Sequence, residues 1–232
     1  MNSFEQAVRR FESPDNPAPM KATAKTSKPR PPQKRPRRSH AQRSSDTRRK
    51  LCEAALELLS EVGYERVTTA LIAQRAQVSK GAQTHHFPTK ADILAAAFEH
   101  LLAGWEARRS ALLARPGETV SLDRTLRYLW KEVFSRPDYV AAIEMMLAAR
   151  HDEPLRARLQ ASLATWTVAR DDTFRRVAGL DEDMSKTATF LKLNFCVLRG
   201  MAIYDGLSPR SEDNEAVLDL WIGMAKRHLK AA

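Results

Sequence analysis

Leu51, Ala55, Leu58, Leu59 and Val62 recur at three- and four-residue intervals, the spacing of one helical face. Asp46 is expected to cap the start of this helix, and Gly63 to end it in a left-handed conformation. A second, short helix is predicted on Leu71, Ile72 and Arg75, with Thr68 or Thr69 as its cap. Ala76, Gln77 and Val78 interrupt the pattern. Ser79 then caps a third helix running to about His86, and Pro88 stops it. Thr89 caps a fourth, with Asp92 as a reciprocal partner. The brief turn between the second and third helices makes a helix-turn-helix.

Past residue 90 the chain reads as helix with short breaks, at "RPGET", "SRPD", "DEP", "AGLDED" and "GLSPRSED". About six helices are predicted between them, enough for a bundle. The last two carry apolar stripes, Leu191, Phe195, Leu198 and Ala202 on one and Leu218, Trp221, Ile222 and Ala225 on the other. One stripe can cover the core and another a partner, or both can serve an intramolecular bundle. The fold class is all-α: an N-terminal three-helix helix-turn-helix domain over 46–92, then a C-terminal helical bundle over 93–232.

Composition agrees with that class. Only 8 of the 232 residues are glycine while hydrophobic residues make up 43%, so a helical core can form. Charge alters the picture at one end. Residues 1–45 hold 11 Lys and Arg against 3 Asp and Glu, and 7 of the 12 prolines. The other 187 residues hold 27 against 25, so the net charge of +10 sits mostly in the N-terminal segment. A segment this polar cannot bury enough apolar surface to order itself. It is expected to be a disordered basic tail over 1–45, with a short helix over 2–12 on Phe4, Val8 and Phe11. Such a tail can add non-specific phosphate attraction, act as a solubilising extension, or reflect a start placed too far upstream. Cys52 and Cys196 lie in apolar stretches and are expected to be buried free thiols. No apolar run reaches the roughly 18 to 20 residues of a membrane span, and a cytoplasmic protein is expected.

The stretch "AALELLSEVGYERVTTALIAQRAQVSKGAQTHHFPTKADIL" resembles the DNA-binding domain of the TetR family of bacterial transcription regulators. The run "IAQRAQVSKG" followed by "HHFPTK" carries the likeness. The resemblance implies nine or ten helices: three for DNA, the rest for a ligand pocket, and the last two for pairing with a second copy. It implies a repressor that leaves a palindromic double-stranded operator when a small molecule binds. Carried over residue by residue, Lys80, Gly81, Gln83, Thr84, His85 and His86 of the third helix face DNA. Gly81 lets backbone approach a phosphate. Thr68 and Thr69 open the second helix, where N–H groups can hold a phosphate, and Lys90 touches backbone phosphate. The family often has Leu-Tyr where this chain has Gln83-Thr84, and a basic residue where it has Ala70. Gln83 can read adenine and Thr84 a thymine methyl or a phosphate; the face that Gln83 occupies is left open.

The paired histidines are the other candidate chemistry. Adjacent positions on a helix point about 100° apart, so His85 and His86 cannot share a metal as an i, i+4 pair does. No nucleophile motif or Gly-rich phosphate loop accompanies them. No metal, cofactor or catalytic group is expected; one histidine packs and the other faces DNA. Among the aromatic and methionine positions of the bundle, Trp130, Met146 and Trp166 are the candidate ligand contacts, set against an ordinary core role. The fourth helix is the expected mechanical link, from Thr89 through Ala97, Leu101 and Trp105 into the bundle. Two other classes remain open: a ligand-independent or nucleoid-associated DNA-binding protein, and a helical-bundle enzyme or binding protein.

Overall fold

Ser39, not Asp46, opens the first helix. The computed structural model describes residues 39–113, 121–178, 184–205, 207 and 212–231. In it α1 spans His40–Val62. The Ser39 hydroxyl accepts from the Gln42 N–H, and the Gln42 side chain returns a bond to the Ser39 N–H. This capping box satisfies donors that a helix start otherwise leaves open. Residues 40–45 are therefore helical rather than tail. Asp46 lies one and a half turns inside, within ion-pair distance of Arg49. The basic stretch up to residue 38, including the expected helix at 2–12, lies outside the described residues.

Gly63 ends α1 at φ 76° and ψ 165°, donating its N–H to the Leu59 carbonyl. The positive φ is as expected; the ψ is extended, so the chain leaves the helix axis sharply into a single 3₁₀ turn, Tyr64–Arg66. The second helix, α2 (Thr69–Arg75), is capped by Thr68, whose hydroxyl accepts from the Leu71 N–H. Gln77 makes the following turn at φ 54°, a left-handed conformation that a non-glycine residue adopts at some cost. Ser79 caps α3 (Lys80–His86) through the Ala82 N–H. Thr89 and Asp92 exchange the expected bonds at the start of α4 (Lys90–Leu113).

Five further helices follow among the described residues: α5 (Leu122–Leu129), α6 (Pro137–Ala148), α7 (Glu153–Ala178), α8 (Met184–Asp205) and α9 (Glu212–Ala231). A π-helical turn, Trp130–Phe134, extends α5. Helix α1 packs on both α4 and α6, α4 on α7, α7 on α8, and α5 on α9. One apolar cluster runs from Leu51 and Ile72 through Phe98 to Leu198 and Ala225. The expected boundary at 92/93 falls inside α4 and inside that cluster. Residues 38–232 thus make one unit, in which α4 belongs to both halves. Cys52 is buried, and burial pushes its thiol up to about 11. Cys196 is exposed, against expectation: it lies one position round α8 from the buried Phe195, about 100° off the core-facing stripe. No helix among the described residues is long and apolar enough to cross a membrane.

Candidate nucleic-acid interface

Helix α3 has seven residues, too few to be stable alone, so its neighbours hold it. Its inner face carries Gln83 and leads into Phe87, both buried. Its outer face presents Lys80, Gly81, Thr84 and His85, with Lys80, Gly81, Thr84 and His85 all exposed. The space beside Gly81 is open, with no heavy atom within 4 Å of where a Cβ would stand, so a flat surface can approach the backbone there.

Gln83 is a correction to the sequence reading. Its side chain is 2% exposed and its Nε2 donates to the Phe87 carbonyl at 2.6 Å. A side chain held this way does not reach a base edge. It fills the inward position where the family often has leucine, and the amide is tolerated because a carbonyl beyond the helix end accepts its hydrogen. The deciding information was the helical phase: Gln83 shares the buried side with Phe87, four residues on, while Thr84 turns outward.

His86 is half-buried and His85 exposed, with ring centroids 5.3 Å apart. Burial, then the neighbouring His85 and Arg48 charges, push the His86 pKa down, which favours its neutral form. Arg48 was missed in the sequence. From α1 its Nη1 donates to the His86 carbonyl at 3.4 Å, and its guanidinium lies 4.4 Å from the Phe87 ring centroid. A carbonyl at a helix C-terminus is a natural partner for a cation. A cationic position on α1, one turn from the apolar stripe, was the available signal.

Lys90 also behaves differently from expectation. Its Nζ donates to the Tyr64 carbonyl at 2.7 Å and stands 3.7 Å from the centre of the Tyr64 ring. Burial pushes its pKa down. In this arrangement the ammonium ties α4 to the 3₁₀ turn, with part of its surface left to solvent. Thr68 is exposed and Thr69 half-buried at the start of α2.

Tyr64 is the second residue that the sequence reading passed over. Its N–H donates to Glu144 Oε2 of α6 at 2.9 Å, and its hydroxyl donates to Asp152 Oδ2 at 3.1 Å. Asp152 also caps α7, accepting from the Leu155 N–H at 3.0 Å. Burial and the Asp152 carboxylate push the phenol pKa up, so the hydroxyl stays a donor. Nearby, Asp92 at the start of α4 pairs with Arg158 of α7. Tyr64 thus joins the helix-turn-helix to α4, α6 and α7 within one residue.

The three ligand candidates have different surroundings. Trp130 is buried in the apolar core. Met146 lines a groove of about 350 Å³ between α6 and α7 with Leu159 and Leu163. Trp166 instead meets Trp105, their centroids 5.5 Å apart.

Comparison with known proteins bears on this geometry. The family described as "Bacterial regulatory proteins, tetR family" matches residues 51–97, which span α1 to α4. An uncharacterized HTH-type transcriptional regulator of Mycobacterium tuberculosis is 32% identical over 180 residues, 77% of this chain and 92% of the relative. The HTH-type transcriptional regulator CymR of Pseudomonas putida is 32% identical over 170 residues, 72% of this chain and 83% of CymR. Among solved structures, a transcriptional regulator from Rhodococcus sp. Rha1 is similar with a TM-score of 0.61 and 26% identity, over 78% of this chain and 96% of that one. The multidrug binding protein EbrR complexed with imidazole has a similar fold, at a TM-score of 0.54 and 21% identity, over 77% of this chain and 93% of that one. With the matching helix-turn-helix and relatives aligned over most of their length, the chain belongs to the TetR family and is a DNA-binding regulator of transcription.

Proposed function

We propose that this regulator is a cytoplasmic repressor that binds a palindromic operator as a homodimer and leaves it when a small molecule enters the bundle. Lys80, Gly81, Thr84 and His85 form the surface that meets the major groove. Thr84 is the base-reading candidate in place of Gln83, through a thymine methyl or a hydrogen bond. Lys80 and the N–H groups beside Thr68 and Thr69 meet phosphates. Arg48, His86 and Lys90 position rather than read.

The observation that carries the release mechanism is the Tyr64 junction. A shift of α6 or α7 acts on the turn between α1 and α2 through the Glu144 and Asp152 bonds, and on α4 through Asp92 and Arg158. The link is therefore broader than α4 alone. A ligand needs only to bind the off-DNA arrangement more tightly; a coupling of about 1–3 kcal/mol is typical. EbrR, a multidrug binding protein of similar fold, supports ligand binding on this fold.

Pairing through α8 and α9 is supported by what those helices leave uncovered. Tyr204 and Leu220 are 66% and 63% exposed, and Leu193, Ile203, Val217 and Met224 add to the same pair of helices. A groove of about 390 Å³ lies there between Phe190, Leu193, Trp221 and Met224. Asn194 stiffens the pair from inside, accepting from Trp221 Nε1 at 2.8 Å and donating to the Phe190 carbonyl at 3.0 Å. A two-fold dimer matches a two-fold operator. The basic segment 1–38 adds sequence-independent attraction, and its removal should flatten the dependence of affinity on salt.

A reporter gene behind the bound DNA tests the proposal, alongside sedimentation of the purified chain. Silencing by the protein, with two chains per operator, is expected. Activation, or a monomer both free and on DNA, would refute the repressor or the dimer respectively.

A further inference from the structure

Helix α1 is longer than its packing requires. Its first buried side chain is Leu51, so the 11 residues from His40 to Lys50 place no side chain in the core. Three turns of this kind would not hold a helix alone. They are helical because the buried part of α1 continues into them and the Ser39–Gln42 capping box closes their end. Arg48 is where α1 touches the end of α3, through the His86 carbonyl and the Phe87 ring. At 1.5 Å per residue the helix runs about 13 Å beyond that point. The projection therefore starts beside the reading helix and passes its C-terminus.

Spacing defines one face of the projection. Arg43, Lys50 and Glu57 stand seven residues apart, close to two turns, so they lie in one line. At Glu57 that line meets α2, through Arg75 at 3.4 Å. At Lys50 and Arg43 it is exposed, and neither cation has a carboxylate partner among the described residues. The line thus looks out on the side of α1 where the helix-turn-helix lies. On the opposite side Ala41, Ser44 and Arg48 face Ala96, Glu99 and His100 of α4 across a groove of about 680 Å³. There the Glu99 carboxylate disfavours an anion, and Arg49 is already paired, with Glu53 at 2.9 Å.

The helix-turn-helix has few cations free to meet a phosphate. Of the Lys and Arg side chains on α2 and α3, Arg75 is bound by Glu61 through two bonds of 2.7 and 2.9 Å, which leaves Lys80. Lys90 at the start of α4 is held by the Tyr64 carbonyl. Roughly half or more of the hydrogen bonds in a protein–DNA interface go to phosphate and sugar, and each phosphate neutralised adds affinity by releasing counterions.

We propose that the first three turns of α1 are a second DNA-contact surface, in which Arg43 and Lys50 each meet a backbone phosphate beyond the segment that α3 reads. The two cations lie about 10 Å apart along the helix, the span of about three phosphates on one strand. Arg48 fixes the angle of the projection against α3. The contact carries no base information. It lengthens the protected segment and sets the register of α3 in the groove. The chain just before Ser39 reads Lys34-Arg35-Pro36-Arg37-Arg38, so the charge of the projection is continuous in sequence with that of the basic segment.

The test is salt titration of the full chain by anisotropy on two duplexes of equal length, one carrying the footprinted segment with flanks on both sides and one of unrelated sequence. Arg43→Gln with Lys50→Gln should lower the slope of log affinity against log salt by about 0.9 for each phosphate lost, and so by about 1.8 per bound chain. The fall should appear on both duplexes and leave base preference as it was. Arg43→Lys with Lys50→Arg should keep the original slope. Arg49→Gln also removes one charge, but a paired one, and should leave the slope nearly unaltered. Ethylation of the flanking phosphates should hinder the original chain and no longer hinder the double Gln variant. All three positions are exposed, so circular dichroism should show the fold retained. An unaltered slope in the double variant overturns the proposal. So does a fall in Arg49→Gln as large as that from Arg43→Gln or Lys50→Gln alone, since net charge rather than placement would then act. The operator reading fails separately: diffuse protection together with the expected fall in slope removes the palindromic operator and leaves this surface standing.

Discussion

The DNA-binding end and the bundle are held together by opposite means. In α1 to α3 and the start of α4 the decisive contacts are polar and local: Ser39 with Gln42, Thr68 with Leu71, Ser79 with Ala82, Thr89 with Asp92. Each joins residues three apart. In the bundle they join residues far apart in sequence: Trp105 with Tyr139 and Trp166, Phe134 with Phe195, Asn194 with Trp221. The seven-residue helices α2 and α3 need their caps because their own burial is small. Long helices get their order from packing, and their interior is free to vary. A locally fixed DNA-binding end and a bundle ordered by distant contacts follow from that division.

The largest expected effect tests whether the two regions are energetically one. Phe98 lies on α4, fully buried in the cluster shared by both. Phe98→Ala should cost about 3–5 kcal/mol, with urea transitions by circular dichroism and by tryptophan emission still coinciding. All four tryptophans lie outside α1–α3, so separated transitions would show that the two ends unfold independently.

Next comes a contrast within α3. Thr84→Ala should weaken specific DNA binding by about 1–3 kcal/mol at one base position per half-site. Gln83→Leu should leave base preference unaltered, because that side chain faces inward. Anisotropy titrations on single-base operator variants check both. A changed base preference in Gln83→Leu would place Gln83 on the outer face after all.

Tyr64→Phe sharpens the comparison at its junction. It removes the hydroxyl bond to Asp152 and should cost about 0.5–1.5 kcal/mol of stability. Its fuller effect should be a smaller ligand-induced loss of operator affinity, measured as the ratio of affinities with and without inducer. An unchanged ratio would return the linkage to α4 alone. The smallest effect is chemical. Cys196 should react with a disulfide reagent well before Cys52, whose thiol is buried and pushed up to about 11. Equal rates would mean that α1 opens from α4 and α6 as readily as α8 exposes its outer face.

These contrasts also explain what was legible in the sequence. Local caps are written within four residues of one another, so the starts of α2, α3 and α4 were readable. The start of α1 was missed because Ser39 stands in a basic, Pro-rich setting that masks its capping box with Gln42. The phase of α3 decided between Gln83 and Thr84, and a seven-residue helix carries too few apolar positions to fix that phase. Arg48, Tyr64 and the aromatic contacts of the bundle depend on which helices meet. Tyr64 and Glu144 are 80 residues apart, and nothing near either one signals the other.

Footprinting of the full chain on genomic fragments tests the central claim most directly. Two protected half-sites of like sequence are predicted, related by a two-fold axis, with centres about 34–36 Å apart or a multiple of it. Thr84→Ala should weaken both halves together. Diffuse protection without fixed boundaries, or a single isolated half-site, would contradict the account.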